Sequence, residues 1–321
     1  MKGINILSTG LALPGRRVTN DDMAAMVETS DEWISTRTGI RQRYFCAEGQ
    51  AGWQLAAQAG ARALENAGVS PHQIGVCLVA TMTPAFATPS AACLVQRQLG
   101  LEESTLCFDI NAACSGFVYA LITARALLES SPKPYALVIG AEALSKVTDF
   151  TDRSTCVLFG DGAAAAVMEL TDLPFAAVQG ARGDDQALVC PGFGSAPQHL
   201  SMDGRAVFRF AVEVLPRCVD GVLEQSGLAM NDIDYVVCHQ ANKRIIDHVV
   251  RRAGADPAKF YMNMDRYGNT SAASIPLALE DMRAAGLLRP GMRLVCAGFG
   301  GGFTWGGVLV HWNVKGETVC D

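Results

Sequence analysis

The sequence predicts an α/β fold, on three observations. Helix-like and strand-like segments alternate along the chain, as in proteins that pack helices against a sheet. Half of the 321 residues are apolar, which is enough for a large core. Residues 64–74, with the buried strand after them, resemble residues 223–233 and the strand that follows those.

This repeated segment bears on domain organisation. LENAGVSPHQI at 64–74 and LEQSGLAMNDI at 223–233 share four of eleven residues, and each is typical of a helix end, a glycine stop and a strand. Strand-like runs at 137–140 and 294–297 lie at nearly the same offset. We predict two α/β halves, residues 1–171 and 172–321. The alternative is chance recurrence of a common helix–glycine–strand pattern.

The elements of the first half follow in order. The apolar run at residues 1–7 predicts a strand, and a helix around Trp33 precedes the helix and strand of the repeated segment. Residues 105–110 predict a strand that gives way to a long helix over 115–128. Residues 137–140 predict another buried strand.

In the second half, the helix that stops at Gly227 leads into an apolar strand ending at Cys238. A locally basic helix is predicted over 243–252, and a strand over 294–297. The glycine-rich segment 298–302 predicts a loop, with a new strand from Phe303. Because no Lys-Ser or Lys-Thr follows these glycines, a phosphate-binding loop is disfavoured.

Composition excludes several function classes. The net charge of −6 disfavours nucleic acid and anionic membranes as partners. The N-terminus lacks the features of a signal peptide, and no apolar run reaches membrane-spanning length. The eleven cysteines are scattered through apolar runs without a C-x-x-C pair, which predicts free thiols in a reducing cytoplasm.

Cys114 has the setting of a catalytic nucleophile. It lies in the run NAACSGF, between a predicted strand and a predicted helix. Unpaired N–H groups at a helix N-terminus lower the pKa of a nearby thiol and make it more nucleophilic. The alternative is a small buried residue at a tight turn.

His239 and Asn269 occupy comparable positions in the second half. His239 follows an apolar strand, and Asn269 follows Gly268 in the run RYGNTS. Each alone would more often be structural, Asn269 as a turn residue. A thiol, an imidazole and a carboxamide at the ends of three elements favour a shared site, at the junction of the two halves.

These motifs carry a resemblance that extends over the whole chain. NAACSGF, HQANKRI and YGNTSAAS match in order and spacing the Cys-His-Asn set of the β-ketoacyl-acyl carrier protein synthase III family. The blocks TSDEWISTRTGI, DRSTCVLFGDG and AGFGGGFTWG extend the match. The resemblance implies a thiolase-like five-layered α-β-α-β-α sandwich with two pseudo-equivalent halves.

The resemblance also implies the reaction. Cys114 would accept an acyl group from acyl-CoA, with the N–H groups of Cys114 and Gly301 as oxyanion hole. His239 and Asn269 would stabilise the enolate formed when malonyl-acyl carrier protein loses carbon dioxide. A Claisen condensation would then give β-ketoacyl-acyl carrier protein. No metal and no permanently bound cofactor is expected.

Binding residues are implied in the same way. The coenzyme A site would be formed by Trp33, Arg37, Arg153 and Asn242. The docking face for the acidic acyl carrier protein would be formed by Arg209, Lys243, Arg244, Arg251 and Arg252. Without the resemblance, the basic helix would more often be ordinary solvated surface.

The sequence departs from the family in places. Thr88 stands where some relatives carry a bulky aromatic that closes the acyl pocket of the partner in a homodimer, which predicts room for longer primers. The segment 183–190 is short for the tunnel entrance, and the tail 315–321 has no predicted role.

Other functions compete with fatty acid initiation. A related synthase of secondary metabolism, with quinolone or polyketide starters, is poorly separated by sequence. A Cys-His-Asn thiol hydrolase shares the residue types, but its base should pair directly with the cysteine. A non-catalytic carrier-binding homologue is disfavoured because all three catalytic residue types are present.

Overall fold

A computed structural model describes residues 1–192 and 198–312 of the chain. The tail 315–321 lies outside the described residues, whereas the short segment 183–190 lies within them. None of the helices in the described part is long and apolar enough to cross a membrane.

The helices include both helices of the repeated segment, the predicted helix around Trp33 and the predicted basic helix. The α-helices are α1 (Asn20–Ala24), α2 (Asp31–Thr38), α3 (Gly52–Ala67), α4 (Ala91–Leu99), α5 (Gly116–Leu128), α6 (Arg153–Cys156), α7 (Gly204–Ser226), α8 (Lys243–Ala253), α9 (Met264–Tyr267) and α10 (Ser274–Ala284). The predicted glycine stops are confirmed, because Gly68 and Gly227 end α3 and α7 in the left-handed conformation, with φ of 61° and 69°.

The strands include each of the predicted apolar runs and others that were not predicted, among them residues 162–174. They are β1 (Lys2–Ala12), β2 (Arg16–Thr19), β3 (Gln42–Phe45), β4 (Ile74–Ala80), β5 (Leu106–Ile110), β6 (Tyr135–Glu142), β7 (Gly162–Pro174), β8 (Ala177–Ala181), β9 (Leu188–Val189), β10 (Ser201–Met202), β11 (Tyr235–Cys238), β12 (Met292–Gly300) and β13 (Thr304–Trp312). The predicted glycine loop is shorter than expected, since Gly298 and Gly300 belong to β12 and residues 301–303 form the turn.

Nine strands form one mixed sheet in the order β11-β12-β13-β1-β7-β6-β4-β5, with β8 paired to β13. The first and last strands meet in its middle, because β1 runs parallel to β13. β7 pairs antiparallel with both β1 and β6, and it runs across the predicted boundary at residue 171. The division into halves therefore stays a prediction.

The core lies on both faces of the sheet. On β6, Ala136 and Val138 pack with α5 and α10, whereas Leu137 and Ile139 pack with α3 and α4 on the opposite face. This alternation is what a strand covered by helices on both sides requires. Strands β11 to β13 likewise lie between α5 and α10 on one face and α7 and α8 on the other. The layers are therefore α3 and α4, the part of the sheet around β6, α5 and α10, the part of the sheet from β11 to β13, and α7 and α8. This is the predicted five-layered arrangement.

Candidate active site

Cys114 lies in the turn between β5 and α5, as predicted. A single 3₁₀ turn, Ala113–Ser115, separates the end of the strand from Gly116, where the helix begins. Ala113 has a φ of 45°, in the left-handed region that residues other than glycine rarely adopt. The turn thus holds Cys114 at the N-terminus of α5 in a constrained backbone conformation.

Contacts from the second half keep this turn in place. Thr304 at the start of β13 donates from Oγ1 to the Ala112 carbonyl at 2.9 Å and accepts from Ser115 Oγ at 2.7 Å. Gly300 lies so close that a β-carbon there would be 2.5 Å from the Cys114 nitrogen. Any side chain at residue 300 would displace the nucleophile.

The expected low pKa of the Cys114 thiol is wrong. Cys114 is buried, and burial raises the pKa of its thiol to about 12. A hydrogen bond from Ser271 lowers this pKa, while the charge of Glu142 raises it. Loss of hydration disfavours the thiolate more than the N-terminus of α5 favours it.

His239 follows β11 and is buried, with its backbone N–H donating to the Ala297 carbonyl at 2.8 Å. Its Nδ1 lies 2.7 Å from Ser274 Oγ, which also accepts from the Gln240 N–H at 3.4 Å. A serine oxygen that accepts from Gln240 has its own hydrogen to donate to Nδ1. This favours the neutral tautomer with its hydrogen on Nε2.

Burial also sets the charge of this imidazole. It lowers the pKa of His239 to about 3, so the ring is neutral at physiological pH. The edge-to-face ring of Phe299, with centroids 5.4 Å apart, supports the imidazole. A neutral ring with Nε2–H is a hydrogen-bond donor but a poor base.

Asn269 is held by its backbone and by its amide oxygen. Its N–H donates to the Leu158 carbonyl at 2.8 Å, and its carbonyl accepts from the Gly160 N–H at 3.0 Å. Its Oδ1 accepts from the Ser271 N–H at 2.9 Å. Because Oδ1 is occupied, the orientation of the amide is fixed and Nδ2 is the group that can donate to a ligand.

The three predicted catalytic residues meet at one cavity. Cys114, His239 and Asn269 all line a space of about 270 Å³, although they come from β5–α5, from the end of β11 and from the loop before α10. The structure therefore brings together the thiol, the imidazole and the carboxamide that the sequence placed at three separate ends.

Four of the predicted ligand-binding residues also line this cavity. Trp33, Arg37, Asn242 and Arg244 are among its lining residues. The guanidinium carbons of Arg37 and Arg153 lie 4.7 and 4.9 Å from the centroid of the Trp33 ring. Both polar atoms of the Asn242 side chain are hydrogen-bonded. Its Oδ1 accepts from the Arg244 N–H and caps the N-terminus of α8, and its Nδ2 donates to the Arg37 carbonyl.

The remaining basic residues are exposed and lie outside the cavity lining. Arg209 is on the first turns of α7, and Arg251 and Arg252 are in the last turn of α8. Lys243 is partly neutralised, because its Nζ lies 2.8 Å from both carboxylate oxygens of Asp247.

Gly301 and Thr88 also lie apart from the cavity of the catalytic residues. Gly301 lines a larger neighbouring space of about 650 Å³, together with Ala112, Ala113 and Leu188. Leu188 borders both spaces. Thr88 is exposed, in the loop between β4 and α4.

Sequence reasoning missed the groups that support the catalytic residues. Ser271 and Ser274 follow Asn269 closely, but their partners are distant in sequence. Glu142 ends β6 as a fully buried carboxylate, and burial raises its pKa to about 7. The signal that could have found it is a lone acidic residue within the apolar run 135–144.

Known proteins are similar in sequence to this one over nearly the whole chain. Residues 108–182 match the family model for 3-oxoacyl-[acyl-carrier-protein (ACP)] synthase III, and residues 223–312 match the model for its C-terminal part. The β-ketoacyl-[acyl-carrier-protein] synthase III of Clostridium acetobutylicum is 44% identical over 327 residues, which cover 98% of this chain and 100% of that protein.

Solved structures of two such enzymes have a fold similar to that of this chain. The chain superposes on 3-oxoacyl-(acyl carrier protein) synthase III from Pseudomonas aeruginosa PAO1 with a TM-score of 0.91 and 38% identity, covering 97% of this chain and 98% of that one. The priming β-ketosynthase of the R1128 polyketide pathway gives the same TM-score at 35% identity, covering 98% and 97%.

Proposed function

The chain belongs to the β-ketoacyl-[acyl-carrier-protein] synthase III family, and from that premise we propose which residues carry each step of its reaction. It is a condensing acyltransferase. An acyl-CoA primer and malonyl-acyl carrier protein give β-ketoacyl-acyl carrier protein, carbon dioxide and coenzyme A, which initiates fatty acid biosynthesis. The acyl group is held as a cysteine thioester between the two half-reactions.

In the first half-reaction, Cys114 attacks the thioester carbonyl of acyl-CoA. Its position at the N-terminus of α5 directs unpaired backbone N–H groups towards the developing charge. The oxyanion is held by the N–H groups of Cys114 and Gly301. The Trp33 ring, with Arg37 and Arg153 beside it, offers a stacking surface with positive charge for the adenine end of coenzyme A. Asn242 faces the pantetheine arm.

In the second half-reaction, His239 and Asn269 stabilise the enolate that forms when malonyl loses carbon dioxide. The observation that carries this assignment is that Nδ1 of His239 and Oδ1 of Asn269 are both occupied, which leaves two neutral N–H donors for the cavity shared with Cys114. Neutral donors stabilise an enolate without transferring a proton to it. The carbanion then attacks the acyl group on Cys114.

We propose two macromolecular partners, acyl carrier protein and a second copy of the chain. The exposed cations on α7 and α8 suit the acidic surface of acyl carrier protein. A second copy of the chain suits β5, because this strand ends the sheet, pairs with β4 alone among the described strands, and exposes 48% of Leu106. The ten described cysteines are free thiols, as expected for work in the cytoplasm.

Single-turnover assays with acyl-labelled acyl-CoA and carboxyl-labelled malonyl-acyl carrier protein test the assignments. We expect C114S to take up no acyl label, because a serine hydroxyl is a far weaker nucleophile than a thiol. H239A and N269A should acylate within a few-fold of wild type but release carbon dioxide at least about a hundredfold more slowly.

C93S, which changes an exposed cysteine, is the matched control and should behave as wild type. Failure of H239A to acylate would make His239 an obligatory base and favour the thiol hydrolase. The likeness to a polyketide priming synthase keeps a secondary-metabolic role as second candidate. Product analysis with several primers and carrier proteins separates that role from fatty acid initiation.

A further inference from the structure

Arg43 is a buried cation with no role in the steps described above. It lies on β3 and is fully buried, with 0% of the residue exposed. Its Nη1 donates to Asn20 Oδ1 at 2.7 Å, and its Nη2 donates to the Val157 carbonyl at 2.6 Å. None of the ion pairs among residues 1–192 and 198–312 involves Arg43, and its buried Nε has no hydrogen-bond partner there.

Packing alone does not explain a cation in this place. Burial lowers the pKa of the Arg43 guanidinium to about 10, so the group keeps its charge at neutral pH. An ionised side chain that leaves water costs free energy unless its charge is paired, and here two neutral acceptors stand in place of a carboxylate. A neutral side chain of similar length would fill the space at a lower desolvation cost. Such departures from the usual rules occur where function requires them.

The guanidinium holds the chain segment to which Asn269 is paired. The Asn269 N–H donates to the Leu158 carbonyl at 2.8 Å, and its carbonyl accepts from the Gly160 N–H at 3.0 Å. These two hydrogen bonds form a short parallel β-bridge. Val157, whose carbonyl accepts from Arg43, comes directly before the bridged segment. The position of the Asn269 backbone therefore depends on a segment that Arg43 fixes.

The aliphatic stem of Arg43 lies against two glycines of the same bridge. A β-carbon on Gly160 would be 3.0 Å from the Arg43 Cβ, and a β-carbon on Gly268 would be 3.2 Å from it. Gly268 comes directly before Asn269 and has a φ of 68°, a conformation that strains other residues. Because glycine has no side chain to pack, the Arg43 stem fills the space beside both glycines.

We propose that Arg43 is a positioning residue for Asn269, an inference that rests on the function proposed above. Its guanidinium fixes the Val157 carbonyl, and its stem supports the two glycines beside the bridge. The bridge in turn fixes the backbone from which the Asn269 amide donates to the enolate oxygen. A shift of about 1 Å in a group that contacts the transition state can lower a rate about a hundredfold. Arg43 thus acts on decarboxylation.

The other two catalytic residues are held by different elements. The turn of Cys114 is held by Thr304 of β13, and the His239 ring is held by Ser274 of α10. Among the described residues, the Arg43 guanidinium donates to neither element. A change at Arg43 should therefore affect the two half-reactions unequally.

R43M tests this split, because methionine keeps part of the stem but has no donor. Acyl-labelled acyl-CoA is supplied at saturation, and carboxyl-labelled malonyl-acyl carrier protein is then added to the acylated enzyme. We expect R43M to take up acyl label within about threefold of wild type, yet to release carbon dioxide at least about tenfold more slowly.

The double variant R43M/N269A separates positioning from a general loss of structure. Once the Asn269 amide is absent, Arg43 has nothing left to position. Adding R43M to N269A should therefore slow carbon dioxide release by less than about twofold.

R43K separates positioning from charge. Lysine keeps the positive charge but replaces the two guanidinium donors, which face separate acceptors, with one ammonium group. We expect R43K to release carbon dioxide at least about threefold more slowly than wild type. A purely electrostatic contribution of Arg43 to the enolate would leave R43K equal to wild type.

R125M is the matched control, because Arg125 is also buried and also donates to a backbone carbonyl, that of Lys2, at 2.8 Å. Both half-reactions of R125M should stay close to wild type. The proposal is overturned by equal losses of both half-reactions in R43M, by a tenfold effect of R43M in N269A, or by wild-type rates in R43K. If thermal unfolding shows that R43M does not fold, R43K with R43K/N269A decides the outcome.

The same assays separate this proposal from the proposed function. A wild type that releases no carbon dioxide from malonyl-acyl carrier protein would contradict the proposed function itself. Wild type and N269A behaving as proposed, with R43M indistinguishable from wild type, would overturn the role of Arg43 alone.

Discussion

At the scale of single residues, the roles of the polar groups are decided by their neighbours. Ser274 holds Nδ1 of His239, and the Ser271 N–H holds Oδ1 of Asn269. Both contacts leave a neutral donor for the cavity. The sequence predicted Cys114, His239 and Asn269, because each follows an apolar run or a turn signal. It could not predict their protonation, which depends on burial by residues that are distant in the chain.

Glu142 predicts a measurable pH dependence of stability. Its pKa rises from the ordinary 4.5 to about 7 in the folded protein. Above pH 4.5 the unfolded chain loses this proton while the folded chain keeps it, so the free energy of unfolding falls as pH rises towards 7. The loss is on the order of 3 kcal/mol. E142Q should escape it.

Urea unfolding of wild type, E142Q and E169Q between pH 4.5 and 8 measures this effect. The difference in unfolding free energy between E142Q and wild type should increase with pH in favour of E142Q. E169Q, which changes a carboxylate of β7 that accepts a hydrogen bond from Asn5, should follow the wild-type curve. Parallel curves for E142Q and wild type would show that Glu142 titrates at its ordinary pKa.

At the scale of elements, predictions were accurate where one local signal sets a boundary. α5 begins at Gly116 and ends at Leu128, against a predicted 115–128, and α8 covers the predicted basic helix with one more residue. The glycine-rich segment was less accurate, because three of its residues pair within β12 and β13. Pairing with the next strand, β13, overrides local flexibility there.

The exposed cations of α8 predict that their charge affects the KM for the carrier-bound substrate. R251E/R252E should raise the KM for malonyl-acyl carrier protein about tenfold at low salt, because reversed charges repel an acidic partner. Turnover of malonyl-CoA should stay nearly unchanged. The KM increase should shrink in 0.5 M salt, where exposed charges are screened beyond about 4 Å. Steady-state kinetics with both substrates measure it.

R16E/R17E is a suitable control, because it reverses the charge of another adjacent and exposed arginine pair. It should leave both KM values near those of wild type. If R251E/R252E lost equal activity with malonyl-CoA and with the carrier-bound substrate, α8 would instead serve folding or the binding of coenzyme A.

At the scale of the whole molecule, β5 is the strand that favours assembly with a second copy. A strand that is paired on one side only and exposes Leu106 at the end of a nine-stranded sheet favours pairing with a second copy. The loop after β4 carries Thr88 and exposes half of the Phe86 side chain. A chain that pairs through β5 can thus place this loop against its partner's site. The sequence predicted a role for Thr88 from resemblance, but not where its side chain lies.

Thr88 predicts the range of primers. A threonine in place of an aromatic leaves room for two to four more carbons, and each buried methylene contributes about 0.8 kcal/mol, about fourfold in binding. The enzyme should therefore accept butyryl-, isobutyryl- or octanoyl-CoA, and T88F should lower kcat/KM for these by one to two orders of magnitude relative to acetyl-CoA.

Values of kcat/KM for the four primers, measured on both proteins, test this expectation. A mixed dimer of a C114S chain with a T88F chain should keep the wild-type primer range, since its one working site faces Thr88 of the other chain. A wild type confined to acetyl-CoA, or an unchanged range in T88F, would contradict the role of Thr88.

The pairing of β1 with β13 has a consequence for synthesis on the ribosome. β1 is translated before its parallel neighbour β13, which spans Thr304–Trp312. The same late strand supplies Thr304, which braces the turn of Cys114. The nucleophile therefore stays unbraced until translation has passed β13. Chains that terminate before β13 should carry Cys114 as an ordinary, slowly reacting thiol, so that acyl-CoA is consumed only by chains that include β13.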